Sequence, residues 1–422
     1  MGAGKHALVI GGSLGGLFAA SLLRAGGWTV TVFERSREAL ASRGAGLGTT
    51  RELVTVMRRA GARLDVSMAV EMNAYVWLDG AGRVVHEHKR QMASSTWSRV
   101  YLPLRETLPD EHFRSGMTLD RVEQDGKGVT AIFSDGTRLG CDLLIAADGG
   151  QSTVRRQLMP DVAPRYAGYV AWRGIMEERD VPASIHRDLF DKLAFSFPEG
   201  EMALAMPVPG HGDDTRPGHR RYYFIWYRPA DAAALEDLCT DARGVHHGSS
   251  IPPPLIRPEF VRDLKERAGA LFAPALAEVI RQTPQPLLQA ISDLESPRLV
   301  EGRVALLGDA AFIARPHVAA GATKAALDAD CLADRLADAV GGADGDIDAA
   351  LAEYGRRQHE FGVQLVAHGR RLGTIVGPRK AAGAEPNADA AYRDPLHILA
   401  NYGAPHLVHD LAARDLAGTE AR

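Results

Sequence analysis

Apolar and polar positions alternate in three textures along the chain. Residues 7–10 are a continuous apolar run of strand length, residues 17–25 carry apolar positions at helical spacing, and residues 29–33 are β-branched and apolar. This order predicts a βαβ unit over residues 6–36. Residues 43–50, RGAGLGTT, hold too little apolar pattern for a strand or helix and read as a glycine-rich loop open to a ligand. Residues 52–60 read as helix, and residues 74–88 alternate around Asp79-Gly80 as a hairpin. Residues 98–108 have helical spacing but contain Pro103, so either the helix starts there or there is none. A strand pair is expected around Ser134-Asp135-Gly136, followed by a buried strand at 143–147 and a helix from about Ser152. Aromatic, strand-like runs at 169–175, 193–197, 202–207 and 221–227 predict a second, mostly antiparallel sheet. Helical spacing returns at 235–238 and 258–281, a buried strand at 304–307, and a helix from Gly321 and Ala322.

Three strand ends carry candidate chemistry. In GGSLGG, Gly11 permits a tight strand-to-helix turn and Gly16 a close helix–strand contact, and the helix start offers N–H groups to a diphosphate. Ser13 stands where this fingerprint usually has its middle glycine, so a small side chain must fit at, or bond to, that diphosphate. Glu34 lies roughly 20 residues beyond Gly11, where a carboxylate accepts ribose hydroxyls. The second strand end is Asp148-Gly149, which reads equally as a ligand site or as a turn and helix cap. The third is Gly308-Asp309, followed by the loop Arg315-Pro316-His317 and another helix start.

A length of 422 residues implies two or three domains. With 49 Lys plus Arg against 53 Asp plus Glu, the balance gives no reason to expect nucleic acid or a membrane surface as partner. Cys141, Cys239 and Cys331 have no CxxC spacing and suit buried, reduced thiols; with no signal-peptide pattern and no membrane-length apolar run, a cytoplasmic protein is expected. Adjacent His246 and His247 lack a partner at helical spacing, and no metal site is expected.

Together GGSLGG, Asp148-Gly149-xx-Ser152-xx-Arg155 and Gly308-Asp309 resemble the single-component FAD-dependent aromatic hydroxylases, the p-hydroxybenzoate hydroxylase group. YAGYVAWRG at 166–174, PPPLIRP at 252–258 and GDAAFIARPHVAAGATKAALDA at 308–329 are similar to the subgroup of 2,6-dihydroxypyridine 3-hydroxylase. The resemblance implies an α/β fold: a Rossmann-like FAD-binding domain (1–70, 98–165, 292–376) interleaved with a mostly antiparallel β-sheet substrate domain (71–97, 166–291). A carboxy-terminal helical segment (377–422) would close the pocket or support a homodimer. It places Glu34, with Arg35 beside it, at the adenosine ribose and Gly11, Ser13 and Leu14 at the diphosphate. Arg43, Gly46 and Leu47 would line the cofactor, Asp309 would hold the ribityl chain or diphosphate, and Pro316 would pack on the flavin. Gly321 and Ala322 would aim amides at the flavin, and Asp148 would serve both FAD and the nicotinamide step. Arg99 or Arg105 would also touch FAD, Arg99 being preferred.

The implied reaction is hydroxylation of a small aromatic or N-heteroaromatic ring with NAD(P)H and O2, through a flavin hydroperoxide. His317 is the candidate for polarising or deprotonating a ring hydroxyl, against the alternative of a loop histidine bonding backbone. Tyr223 is the second candidate: strand alternation puts Arg221, Tyr223, Ile225 and Tyr227 on one face and Tyr222, Phe224 and Trp226 on the other. The competing functions are hydroxylation or epoxidation of a larger polycyclic natural product, and FAD binding without turnover. A halogenase would carry a WxWxIP run, which is missing, and a plain dehydrogenase leaves the second and third markers unexplained.

Overall fold

The opening pattern forms the expected βαβ unit in the computed structural model, which describes residues 5–38, 40, 46–64, 68–126, 128–341, 346–377 and 390–410. Strand His6–Ile10 is central in a six-stranded sheet and pairs in parallel with Thr29–Glu34 and Leu143–Ala146. Leu143–Ala146 pairs in parallel with Val304–Leu306, and Thr29–Glu34 with Phe113–Ser115; Val300–Glu301 closes one edge antiparallel. Every residue of Leu143–Ala146 and Val304–Leu306 is buried, the mark of strands covered on both faces. Helix Leu14–Ala25 lies against helix Gly321–Gly341.

The aromatic runs build a nine-stranded mixed sheet, in spatial order Phe312–Ile313, Leu287–Glu295, Arg165–Glu177, Arg221–Pro229, Met202–Val208, Lys192–Ser196, Val70–Leu78, Val84–Thr96 and Gly46–Thr49. Alternation sorts its side chains as expected. Trp172, Tyr222, Phe224 and Trp226 pack with Leu264, Leu276 and Val279 of helices Pro258–Leu271 and Pro274–Gln282. Tyr169, Tyr223, Ile225 and Tyr227 face the other way, toward Leu204, Met206 and the carboxy-terminal Ile398, Leu399 and Tyr402. A third sheet consists of Leu119–Gln124, Val129–Phe133 and Arg138–Cys141.

Three local expectations are corrected. Residues Gly46–Thr49 are a strand, because backbone pairing with residues 93–96 orders them without an apolar side-chain pattern. Helix Trp97–Glu106 runs through Pro103, and Val100, Tyr101 and Leu104 bury its inner face, so packing outweighs the one lost backbone bond. The 258–281 segment is two helices, divided at Phe272 and Ala273 ahead of Pro274.

Two buried contacts hold the third marker against the rest. Lys324 Nζ lies 2.6 Å from Asp328 Oδ2 and donates to the Gly308 carbonyl at 3.1 Å, while Asp328 Oδ2 accepts from the Gly308 N–H at 2.8 Å. Both side chains are essentially inaccessible, so the pair clamps the strand end from behind. The His317 ring is also fully buried, with Nε2 2.8 Å from the Tyr169 hydroxyl, and its carbonyl accepts from the Gly403 N–H at 3.0 Å.

Removing one partner of a buried pair strands the other charge, so Lys324→Met should lower unfolding stability by about 3–5 kcal/mol and Lys324→Met with Asp328→Leu should recover much of it. Urea midpoints for the variants test this, and an unchanged single variant contradicts it. Burial, aided by Arg315 and Arg173, holds the His317 imidazole down at about 3. The unfolded chain, with a histidine pKa of about 6.5, therefore binds one more proton below that pH, and this group weakens folding by about 1.4 kcal/mol per unit as pH falls. The contribution is constant above that range, and His317→Gln should flatten the urea-midpoint profile between pH 7 and 5; parallel profiles would contradict it.

Candidate active site

A cavity of about 610 Å³ lies between the two large sheets. One end is built from backbone at the strand ends. Gly11, at φ +110°, lies so near the Asp148 strand end that a Cβ there would be 2.2 Å from the Ala147 carbonyl oxygen. Gly16 abuts Gly11 just as closely, which is why both positions need glycine. Ser13 is the residue before helix Leu14–Ala25, yet its side chain does not cap the helix. Its hydroxyl and the first-turn N–H groups stay available at the cavity wall, which Ser13, Leu14 and Gly15 line.

Opposite them, Asp309, Pro316, Gly321 and Ala322 line the same cavity, as do Gly46 and Leu47. Asp309 keeps its carboxylate accessible to the cavity, but surrounding protein desolvates it and pushes its pKa up, with Lys324 opposing and Asp328 adding to the shift. Helix Gly321–Gly341 starts at the wall, after Ala319 in a left-handed turn at φ +48°. Two helix N-termini, a loop of small residues and one carboxylate fit a dinucleotide with a diphosphate at its middle.

Other predicted cofactor residues are placed differently. Glu34 is buried, and its two carboxylate oxygens accept from the N–H groups of Gly12 and Ser36, both at 2.8 Å. It braces the glycine turn and retains lone pairs for hydroxyl donors. Arg35 is exposed and off the cavity wall, and Arg43 lies outside the described residues. Asp148 caps helix Thr153–Leu158 by accepting from Thr153 N at 2.7 Å and Val154 N at 3.3 Å. Its other oxygen, Oδ1, is buried with no hydrogen-bond partner, and burial raises its pKa. The cap reading thus holds for Asp148, while the backbone of Gly149 and Gly150 forms the wall. Arg99 donates to the Asp213 carbonyl at 2.7 Å, and Arg105 bonds Leu108 O and Asp110 at its own helix end. Neither lines the cavity; Trp97 of the same helix does.

At the far end the wall becomes apolar: Met92, Leu193, Leu204, Met206 and Ile225 surround Arg173 and Tyr402. The two predicted catalytic residues stand behind this wall, which corrects both expectations. His317 is sealed between Tyr169 and Tyr227, with ring centroids 5.8 and 4.3 Å away, and is held neutral. It cannot exchange protons with a ring in the cavity. Tyr223 is buried too, but its hydroxyl accepts from Arg173 Nη1 at 3.0 Å, so it acts through that arginine. Arg173 and Tyr402 were missed. An arginine alternating with Tyr169 and Ala171 on a buried strand was a usable signal for the first; Tyr402 reaches the wall only through the carboxy-terminal fold-back, which no local pattern announces. Of the described part of that segment, Tyr402 is the residue that lines the cavity.

Residues 166–293 match a family model described as FAD binding domain-like. The 2,6-dihydroxypyridine 3-monooxygenase of Paenarthrobacter nicotinovorans is 34% identical over 328 residues, 77% of this chain and 81% of that protein. A FAD-dependent urate hydroxylase of Klebsiella pneumoniae is 30% identical over 381 residues, covering 86% of this chain and 88% of the other. Among solved structures, 2,6-dihydroxypyridine-3-hydroxylase from Arthrobacter nicotinovorans superposes with a TM-score of 0.81 at 29% identity, over 92% of this chain and 99% of that one. The helix-start cradle, the cavity between a parallel and a mixed sheet, and relatives matched over most of their length lead to one conclusion: the chain belongs to the FAD-dependent aromatic hydroxylases.

Proposed function

We propose that this enzyme hydroxylates a small phenol- or hydroxypyridine-like ring, using FAD, NAD(P)H and O2. The observation that carries this reading is the continuity of one cavity from the Ser13, Asp309 and Gly321 end to the apolar compartment at Arg173 and Tyr402. FAD held there supplies the redox chemistry that couples the nicotinamide and oxygen to ring hydroxylation.

The chain's own residues do the rest. Ser13 and the first turn of helix Leu14–Ala25 would hold the diphosphate, and Glu34 would accept ribose hydroxyls while bracing Gly12. Gly321 and Ala322 would present N–H groups to the negative charge of a reduced flavin. Pro316 and the Gly46–Leu47 backbone would orient the ring system. Leu193, Leu204, Met206 and Ile225 exclude water from the substrate, and Tyr402 caps the compartment. The relatives named for 2,6-dihydroxypyridine and for urate support one ring or a fused pair over a polycyclic scaffold. In this reading segments 1–70, 98–165 and 292–376 serve the cofactor, and 71–97 and 166–291 the substrate.

Anaerobic mixing of the flavin-loaded protein with NADH or NADPH tests the reading directly. Bleaching should accelerate at least tenfold with one ring of a panel of phenols and hydroxypyridines, including 2,6-dihydroxypyridine. Ring-independent bleaching, with no hydroxylated product in air, would contradict it. Met206→Trp, which narrows the compartment, should raise KM for that ring at least tenfold and leave flavin content unchanged.

A further inference from the structure

Arg173 sits midway along strand Arg165–Glu177, opposite Ile225 and Leu287, and lines the apolar end of the cavity. Its Nη1 donates to the Tyr223 hydroxyl at 3.0 Å, its Nε is buried without a hydrogen-bond partner, and among the described residues no carboxylate lies within ion-pair distance of it. An arginine has five N–H donors and stays charged at any physiological pH, so the site holds a cation with unused donors. Such a cation is costly unless something of opposite charge completes it.

The neighbours supply no such charge. Tyr223, Tyr227 and Tyr402 are within electrostatic reach of Arg173, and burial raises the pKa of each, so all three stay neutral phenols. His317 is the other titratable group nearby, and it too is neutral. Asp293, on the neighbouring strand, is taken by Arg315 and Arg370. The apolar wall residues Met92, Leu193, Leu204, Met206 and Ile225 cannot solvate a charge, Gln289 on the neighbouring strand offers the cavity only a neutral amide, and Arg315, also at the wall, is paired with Asp293.

Resting on the function proposed above, we propose that Arg173 anchors an oxyanion borne by the aromatic substrate, which is held in the compartment as an anion. A ring-bound oxyanion and a ring-borne carboxylate share that chemistry. The ring oxyanion fits the reaction better, because it is electron-donating and needs no base at the wall, where His317 does not reach. The fixed cation favours the ionised form of a bound ring hydroxyl, whose proton is released to solvent as the ring binds. Tyr223 is a positioning residue: its hydroxyl holds the guanidinium plane.

Titration of the FAD-loaded enzyme with 4-nitrophenol, whose ionised form is coloured, tests this, with benzoate as the carboxylate arm and 4-nitroanisole and benzamide as neutral counterparts. At least one anion should bind tenfold or more tighter than its neutral counterpart. If 4-nitrophenol is that anion, its apparent pKa should fall by one unit or more on the enzyme; if benzoate alone is favoured, the oxyanion is a carboxylate. Arg173→Gln should abolish the preference at unchanged flavin content, Arg173→Lys should retain part of it, and Tyr223→Phe should weaken it without removing it. Equal binding of anions and neutral counterparts by the wild-type protein would overturn the inference, whatever the variants do. That result would leave the hydroxylase reading standing, whereas failure to take up FAD would remove the hydroxylase reading itself.

Discussion

Two parallel strands end so near one another at Gly11 and Ala147 that only backbone fits between them, and the rest of the molecule is arranged around that convergence. Gly11 meets the Ala147 carbonyl, Gly16 meets Gly11, and Gly308 is fastened by Lys324 and Asp328. Side chains at Gly11 or Gly16 would push the first strand away from the Ala147 strand end and from its own helix, and so shift the helix start at Ser13 relative to the one at Gly321. The convergence therefore sets the position of Ser13 relative to Gly321, and with it the span that a cofactor bridges. The buried ion pair behind Gly308 is the cost of that arrangement, since charged groups are removed from water to hold a backbone position.

Polar groups grow scarcer along the cavity. Near the strand ends the wall is rich in N–H groups and contains Asp309; toward the other end it is mostly aliphatic, and of the two arginines that line it Arg315 is paired with Asp293 while Arg173 bonds the neutral Tyr223 hydroxyl. Neutral tyrosines and a neutral histidine surround that arginine, so its field is screened by little except whatever enters the compartment. In the proposed anchoring role, that fixed cation would place a particular ring carbon near the flavin.

Four strands of the parallel sheet were legible from the sequence because they end in glycine, acid or both, at Gly11, Glu34, Asp148-Gly149 and Gly308-Asp309, whereas the short strands Phe113–Ser115 and Val300–Glu301 were not anticipated. The faces of the aromatic strand Arg221–Pro229 were legible too, since alternation fixes which side chains share a face. Catalytic roles were harder. His317 follows Pro316, which does line the cavity, but one residue further along a tight turn points inward at Tyr169 instead. Asp148 looked like a ligand residue and a cap alike, and only the distances to Thr153 and Val154 decide that it caps. Tyr402 is brought to the wall by a segment more than 170 residues from Tyr223 in the chain, a contact made by tertiary packing alone.

The most direct measurement of the central claim is flavin content: the purified protein, saturated with FAD and desalted, is denatured, and released flavin is counted against protein. The account predicts one FAD per chain, lost when Gly11→Val forces the first two strand ends apart. A wild-type chain that retains no flavin would contradict it, and so would a Gly11→Val chain that retains a full equivalent.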